Sequence, residues 1–236
     1  MKILKYITSL SLIVAVGQSA VAQVLEKREK DWKPSEIYLS ADVVGLTRLL
    51  NGDVQNEFQG KIDFDVFYLA ADWGRSNLSS KGEGFDYSSK GSFFRVGPQV
   101  NFTPYNKNRS SIYFGLMYAH ASFSDQIDYA GVDQQWNQTN LSYSNEDLRA
   151  NWLEATMGLN AKIIGPLYMG YVLRFKMAKV LTGDGTLAPY EIPGFGAASK
   201  NSVFGFNYYI TYRFGLRDKP IPIRPKIVKK RVEEEE

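Results

Sequence analysis

The chain has 236 residues, no cysteine, 22% charged residues and a formal net charge of +3 at neutral pH. So small an imbalance gives no support to nucleic-acid binding, and without thiols the fold has to hold without disulfides. Mean hydropathy is mildly negative, and past the N-terminus no apolar stretch is long enough for a membrane-spanning helix.

The N-terminus reads as a secretory signal peptide over residues 1–22. Lys2 and Lys5 precede an apolar run from Ile7 to Val16, and Ala20, Val21 and Ala22 form a small-x-small cleavage site before Gln23. The run falls well short of the ~20 apolar residues of a spanning helix. Its removal takes two lysines from the +3 and leaves a nearly neutral chain. Residues 23–34 then form a periplasmic N-terminal segment, 35–215 a barrel, and 216–236 an extended charged periplasmic tail.

Within 35–215, apolar and polar residues alternate in eight segments, the period-two signature of strands. Those over 37–46, 57–65, 67–74 and 92–102 carry Leu39, Phe58, Trp73 and Phe94 on one side and Asp42, Lys61, Asp72 and Arg95 on the other. Pro98 cannot donate to a ladder and predicts a bulge in the fourth. The fifth, 111–124, is largely apolar on both sides. The sixth and seventh form a hairpin from Trp152 to Met177 with Gly165 between Ile164 and Pro166 at its turn. Leu153, Ala155, Met157, Leu159, Leu167, Met169, Tyr171 and Leu173 line one side of it, and Glu154, Lys162, Arg174 and Lys176 the other. The eighth, 202–215, sets Phe204, Phe206, Tyr208, Ile210, Tyr212 and Phe214 against Asn207, Tyr209, Thr211 and Arg213.

Strands of ~9 to 11 residues cross a bilayer at ~45° tilt, and alternation keeps window hydropathy low because only every second residue meets lipid. The connections near 47–56, 66, 75–91, 103–110, 125–147, 164–166 and 178–201 alternate long and short, as external loops and periplasmic turns do. The expected fold is therefore all-β: an eight-stranded antiparallel up-and-down transmembrane β-barrel in the outer membrane of a Gram-negative cell, both termini periplasmic. A soluble lipocalin-like barrel would turn its apolar side inward. Tyrosine and phenylalanine at the strand ends, together with the signal peptide, favour the membrane.

An eight-stranded lumen is just wide enough to be filled by side chains. The inward charges would be Asp42, Lys61, Asp63, Asp72, Arg95, Glu154, Lys162, Arg174, Lys176 and Arg213. Antiparallel pairing sets Glu154 opposite Lys176 and diagonal to Arg174, and brings Asp72 near Arg95. This predicts a salt-bridged plug rather than an ion path.

The single histidine, His120, shares a face with Ser122 two residues on. His-x-Ser is similar to the lipid A deacylase barrels, although Phe123 stands where that family has asparagine and no acid is identified. A lipid-modifying enzyme is thus an alternative, and a surface adhesin another. The polar loops 125–147, with Trp136, and 182–200 are candidate partner sites, as is the tail 216–236 with its prolines and its Arg224, Lys226, Lys229, Lys230 and Arg231. The Asp-Gly pairs near Asp184 lack the spaced acids of a calcium loop, and no cofactor or metal is expected.

Three stretches, Gly91-Ser92-Phe93-Phe94-Arg95-Val96-Gly97, Pro189 to Gly196, and Gly205-Phe206-Asn207-Tyr208, carry a resemblance that covers 35–215. The chain resembles a family of small, functionally uncharacterised outer-membrane β-barrels of the Bacteroidota, OmpA-like in strand number. The resemblance implies fold and location, with outer-membrane lipid and lipopolysaccharide as surroundings, and supplies no catalytic residue. The expected function is that of a non-enzymatic barrel acting as a structural element or as a subunit of an envelope assembly or transport complex.

Overall fold

The computed structural model describes residues 31–48, 54–132, 138–183 and 188–221. The expected signal peptide, Trp136, Asp184 and the tail beyond Ile221 lie outside the described residues. Among the described residues there are ten strands and one short helix. In chain order these are β1 Glu36–Asp42, α1 Val43–Arg48, β2 Val54–Phe64, β3 Phe67–Gly82, β4 Phe85–Asn101, β5 Ser111–Val132 and β6 Gln138–Ile164. Then come β7 Leu167–Thr182, β8 Glu191–Ile192, β9 Gly196–Ala197 and β10 Val203–Gly215. Eight of them close a ring in the order β1-β10-β7-β6-β5-β4-β3-β2, and β8 pairs β9 as a separate small hairpin. Every neighbour in the ring is antiparallel, and the seam runs from Glu36 opposite Gly215 to Asp42 opposite Tyr209. Both described ends of the chain leave at one end of the ring, the near end; the β3–β4 and β5–β6 hairpins stand at the far end.

β1 stops at Asp42, earlier than the pattern to residue 46 implies. The Asp42 carboxylate accepts hydrogen bonds from the backbone N–H groups of Val44 and Gly45 at 3.2 and 3.3 Å and so caps α1. The stretch 75–91 is not a loop: β3 and β4 pair from Phe67 opposite Val100 to Gly82 opposite Phe85. Nor is 125–147, which continues β5 and β6 with a register shift between Phe123 and Asp125 and pairing on to Val132 opposite Gln138. Long and short loops therefore do not alternate as the sequence implied; β3 and β4 meet in a tight turn. At these heights polar residues such as Ser79, Ser88 and Gln126 interrupt the apolar outer face, so the alternation that marks a strand fades while the backbone ladder continues.

The expected bulge at Pro98 is absent. Leu69 opposes Pro98 in unbroken register on the β3 side. On the β5 side the pairs go from Val96–Tyr118 to Gln99–Gly115 without a shift, leaving Gly97 and Pro98 out of the ladder. The lost donor is absorbed on one side only, where Gly97 lets β4 come close: a Cβ there would stand 2.1 Å from the Leu116 carbonyl oxygen.

Leu39, Phe58, Leu69, Trp73, Phe94, Val96, Phe114, Leu116, Leu153, Met157, Leu173, Phe206, Ile210 and Phe214 all point out of the ring and are 40–61% exposed. No charge interrupts this belt. From Phe204 to Phe214 it spans about 34 Å of strand at ~3.4 Å per residue, or about 25 Å of height at ~40° tilt. Packing inside the ring is layered. Next to the near end lie Tyr38, Tyr68, Tyr113, Val172 and Tyr209. Towards the far end lie Phe93, Ala119, Ala121, Phe123, Leu148, Ala150, Trp152, Ile192 and Phe195. The second cluster explains why β5 reads as apolar on both sides: its inner face meets protein there, not a charge layer.

Candidate functional site

Between these two clusters the lumen is crossed by two buried guanidinium groups. Arg95 donates from Nε to Glu154 at 2.9 Å and from Nη1 to Glu57 at 2.6 Å, with Asp72 at 3.6 Å. Arg174 reaches Glu154 at 3.1 Å, Asp72 at 2.7 Å and Glu57 at 3.3 Å. Each arginine thus meets all three carboxylates, and all five side chains are at most 2% exposed. The wall adds further donors: Trp152 Nε1 donates to Glu154 at 2.7 Å, Gln59 to Asp72 at 2.8 Å, and the Tyr209 hydroxyl to Glu57 Oε1, while Glu57 Oε2 is left without a partner among the described residues. Arg174 Nε donates to Asn207 at 2.7 Å, and Asn207 donates in turn to Asp42 at 2.9 Å. Removing charges from water is repaid only by such dense pairing. Arginine does not lose its proton in proteins, so the two guanidinium groups act as fixed positive braces between the strands.

The ten charges expected to line the interior divide into groups. Asp72, Arg95, Glu154 and Arg174 come together directly, and Asp42 joins through Asn207. Lys176 opposes Glu154 in the register, yet its ammonium donates to the carbonyls of Gly194 and Phe195 at 2.7 and 3.1 Å. Lys61 stands in the tyrosine layer, its nitrogen 4.0 Å from the centre of the Tyr113 ring and 5.7 Å from that of Tyr68. Lys162 is exposed beside a register shift at the near-end turn, so it does not belong to the interior set. Glu57 was missed. It shares strand parity with Gln59, Lys61 and Asp63, which was the available signal, and it holds Arg95, Arg174 and Tyr209 together.

The loop 182–200, external by its sequence, turns inward over its described part from residue 188 on. Ile192 and Phe195 are fully buried in the far-end cluster. Gly194 takes a left-handed φ of +77°, and a Cβ on it would lie 2.5 Å from the Phe93 ring. That turn aims its carbonyl at the charge layer, where Arg95 Nη2 donates to it at 3.1 Å alongside Lys176. From the other side Phe93 presses on Gly74, where a Cβ would stand 2.3 Å from the ring. Tyr87 receives Tyr190 in an edge contact at 5.7 Å, which fixes the start of the segment. Part of the far end is thereby occupied by a plug hung from the two cations of the wall, beside a cavity of about 340 Å³ lined by Glu57, Ser76, Arg95, Lys176 and Phe195. The signal was present in two apolar residues, Ile192 and Phe195, set among glycines and a proline.

At the near end, residues 216–221 fold back across the opening. Leu216 donates to the Ser35 carbonyl at 2.9 Å, and Lys219 pairs with Asp65 at 2.8 Å and with Asp63 at 3.9 Å. Arg109 donates to the Lys219 carbonyl and pairs with Glu36, which also receives Arg213 at 2.6 Å. Arg217 pairs with Asp31, and Trp32 stacks on Phe67 with centroids 5.7 Å apart. The hydrogen bond from Arg217 holds the Asp31 carboxyl below its usual range, helped by the Lys33 N–H.

His120 and Ser122 face out of the ring at the upper edge of the apolar belt. His120 Nδ1 lies 2.7 Å from Asn151 Oδ1, which also accepts from the Tyr118 hydroxyl at 2.7 Å, and its ring packs on Phe94 at 5.3 Å. The imidazole is oriented by an amide oxygen. Among the described residues no cluster of three or more His, Cys, Asp or Glu side chains is placed to hold a metal ion.

Solved structures to which the chain is similar include three bacterial proteins. The N-terminal β-barrel domain of Pseudomonas aeruginosa OprF is 10% identical over 79% of this chain and 100% of that one, with a TM-score of 0.37. Acinetobacter baumannii CarO is 9% identical over 79% and 100%, with a TM-score of 0.39. A major outer membrane protein from Thermus thermophilus is 9% identical over 77% and 98%, with a TM-score of 0.41. No curated protein matches. A family model described as a domain of unknown function, DUF6048, matches residues 3–219, and the chain belongs to that family.

Proposed function

We propose that this protein is an outer-membrane β-barrel with a sealed lumen, working as a structural element or as a subunit of an envelope assembly rather than as a pore. The observation that carries this reading is the pair Arg95 and Arg174 bridging three carboxylates across the lumen, roofed by the 188–202 plug. The uncharged belt of about 25 Å supports the membrane, since it is the height of a hydrocarbon core. Closure of the ring removes every free strand edge at that height, a requirement in lipid. Both termini then lie in the periplasm and the two long hairpins outside. A conducting barrel would need a wetted path along its axis, and the paired guanidinium and carboxylate groups stand across that path.

The test has two arms. Density fractionation of cell envelopes, with the heat-dependent gel shift of a folded barrel, checks location; recovery in the inner membrane or the soluble fraction sinks the reading. In planar bilayers the purified full chain is expected to give no unitary conductance steps, and steady steps from folded protein would overturn the sealed lumen. Crosslinking in cells followed by purification in mild detergent then checks the subunit role, which fails if nothing is captured above background.

A further inference from the structure

The upper edge of the apolar belt carries a second pattern, on the outside of the wall. Asn56 opposes Arg75, Arg75 opposes Ser92, Ser92 opposes Ser122, Ser122 opposes Arg149, and Arg149 opposes Thr182. One register row, running across six adjacent strands from β2 to β7, therefore reads Asn-Arg-Ser-Ser-Arg-Thr. The row beneath it is Trp73, Phe94, His120, Asn151 and Val180. Trp73, Phe94 and Val180 are 44–59% exposed and close the belt. The row above adds Lys90, opposite Asn77 and Ser124.

Height and charge both select the occupant of this row. It lies where the apolar surface ends, the level of lipid headgroups when the belt sits in a bilayer. The charges of the row itself, Arg75 and Arg149, are both positive; on the same face Glu146 and Asp147 lie at the β5–β6 register shift just above Arg149, and Asp86 and Asp128 stand farther up the hairpins. Arg75 extends over the Trp73 ring, 5.8 Å from its centre, which keeps the guanidinium at the interface. On the β10 and β1 side the wall ends at Val203 and Asp42, below this level, so the row has no counterpart there.

We infer that the Arg75–Ser92–Ser122–Arg149 row binds the headgroup of a phosphorylated glycolipid of the outer leaflet. Arg75 and Arg149 are three strands apart, about 14 Å at ~4.8 Å per strand, which is the scale of a disaccharide. Guanidinium groups at the two ends take phosphate through paired N–H donors, and the hydroxyls of Ser92 and Ser122 between them face the sugar hydroxyls. A glycerophospholipid offers one phosphate and no sugar, so it uses one end of the row and leaves the serines idle.

The inference rests on the outer-membrane reading, and the experiment separates the two. The full chain, with its gel shift and envelope fraction recorded first, is incubated in micelles with diphosphoryl lipid A, which carries a phosphate at each end of its disaccharide, or with phosphatidylglycerol, and the lipid retained is counted by native mass spectrometry. Lipid A is expected to be retained about tenfold more tightly than phosphatidylglycerol. Arg75→Gln with Arg149→Gln should remove retention of both. Ser92→Ala with Ser122→Ala should lower lipid A towards phosphatidylglycerol and leave the latter unchanged; this second pair alters no charge and keeps the test open if the first fails to fold. Equal retention of the two lipids by the wild type, full retention by the arginine pair, or an equal loss in Lys107→Gln at the near end would each overturn the inference. Mislocalised protein that still selects lipid A would count against the location alone.

Discussion

Phe195 meets the indole of Trp152 edge-on, with ring centroids 5.6 Å apart and planes at 72°. Trp152 also donates to Glu154, so one side chain joins the plug to the charge layer. Phe195→Ala is expected to lower stability by about 3 kcal/mol, the usual loss for a fully buried ring. Urea unfolding in detergent measures it. Near-UV circular dichroism should weaken while the strand signal persists, and an unchanged midpoint would mean the plug is not packed.

Arg174 faces three carboxylates and leaves none of them another arginine except Arg95. Arg174→Met strands negative charge in a dry interior, a change that typically costs about 3 to 5 kcal/mol. The temperature of the gel shift should fall, and replacing Glu154 by Gln in the same chain should recover part of the loss. No recovery would mean that the charges act independently.

Gly74 is required by its neighbour rather than by its own backbone. An alanine there runs into the Phe93 ring, and overpacking of this kind costs about 1 to 3 kcal/mol. Gly74→Ala is therefore expected to slow or weaken folding, with Phe93→Leu suppressing the defect. Additive losses in the double variant would rule out the contact as the cause.

Acid should release the Arg217–Asp31 latch. The carboxyl titrates below its ordinary value of 3.8 when the latch is formed, so the contribution is complete above the unfolded value and is lost as the pH falls through the lower, folded one. Protease cutting near residue 217 should stay constant from about pH 7 to 5 and rise below about pH 4. Asp31→Asn should abolish this pH dependence; the same profile in that variant would assign the release to another group.

His120→Ala should leave the acylation of cellular lipid A unchanged, because Asn151 and not a carboxylate orients the ring. Altered acylation in this variant, measured by mass spectrometry of extracted lipid, would revive the enzymatic alternative.

What could be read in the sequence was the part of the wall whose outer face is apolar and whose inner face is polar. There, every second residue changes surroundings, so Leu153 against Glu154 and Trp73 against Asp72 declare strand, face and pairing at once. Above the belt, polar residues such as Ser79, Ser88 and Gln126 take over the outer face, and the same strands read as loops. Glu57 was hidden by its place at the apparent start of a segment. The plug escaped because Ile192 and Phe195 follow no period; their burial depends on cations contributed by β4 and β7, far away in the chain.

The plug residues directly precede β10, the strand that seals the ring against β1. One stretch of chain therefore supplies both the Gly194 carbonyl that Arg95 and Lys176 hold inside the ring and the strand edge that meets β1 at the seam. A change in the length of the joint between them, 198–202, would be felt at both places at once.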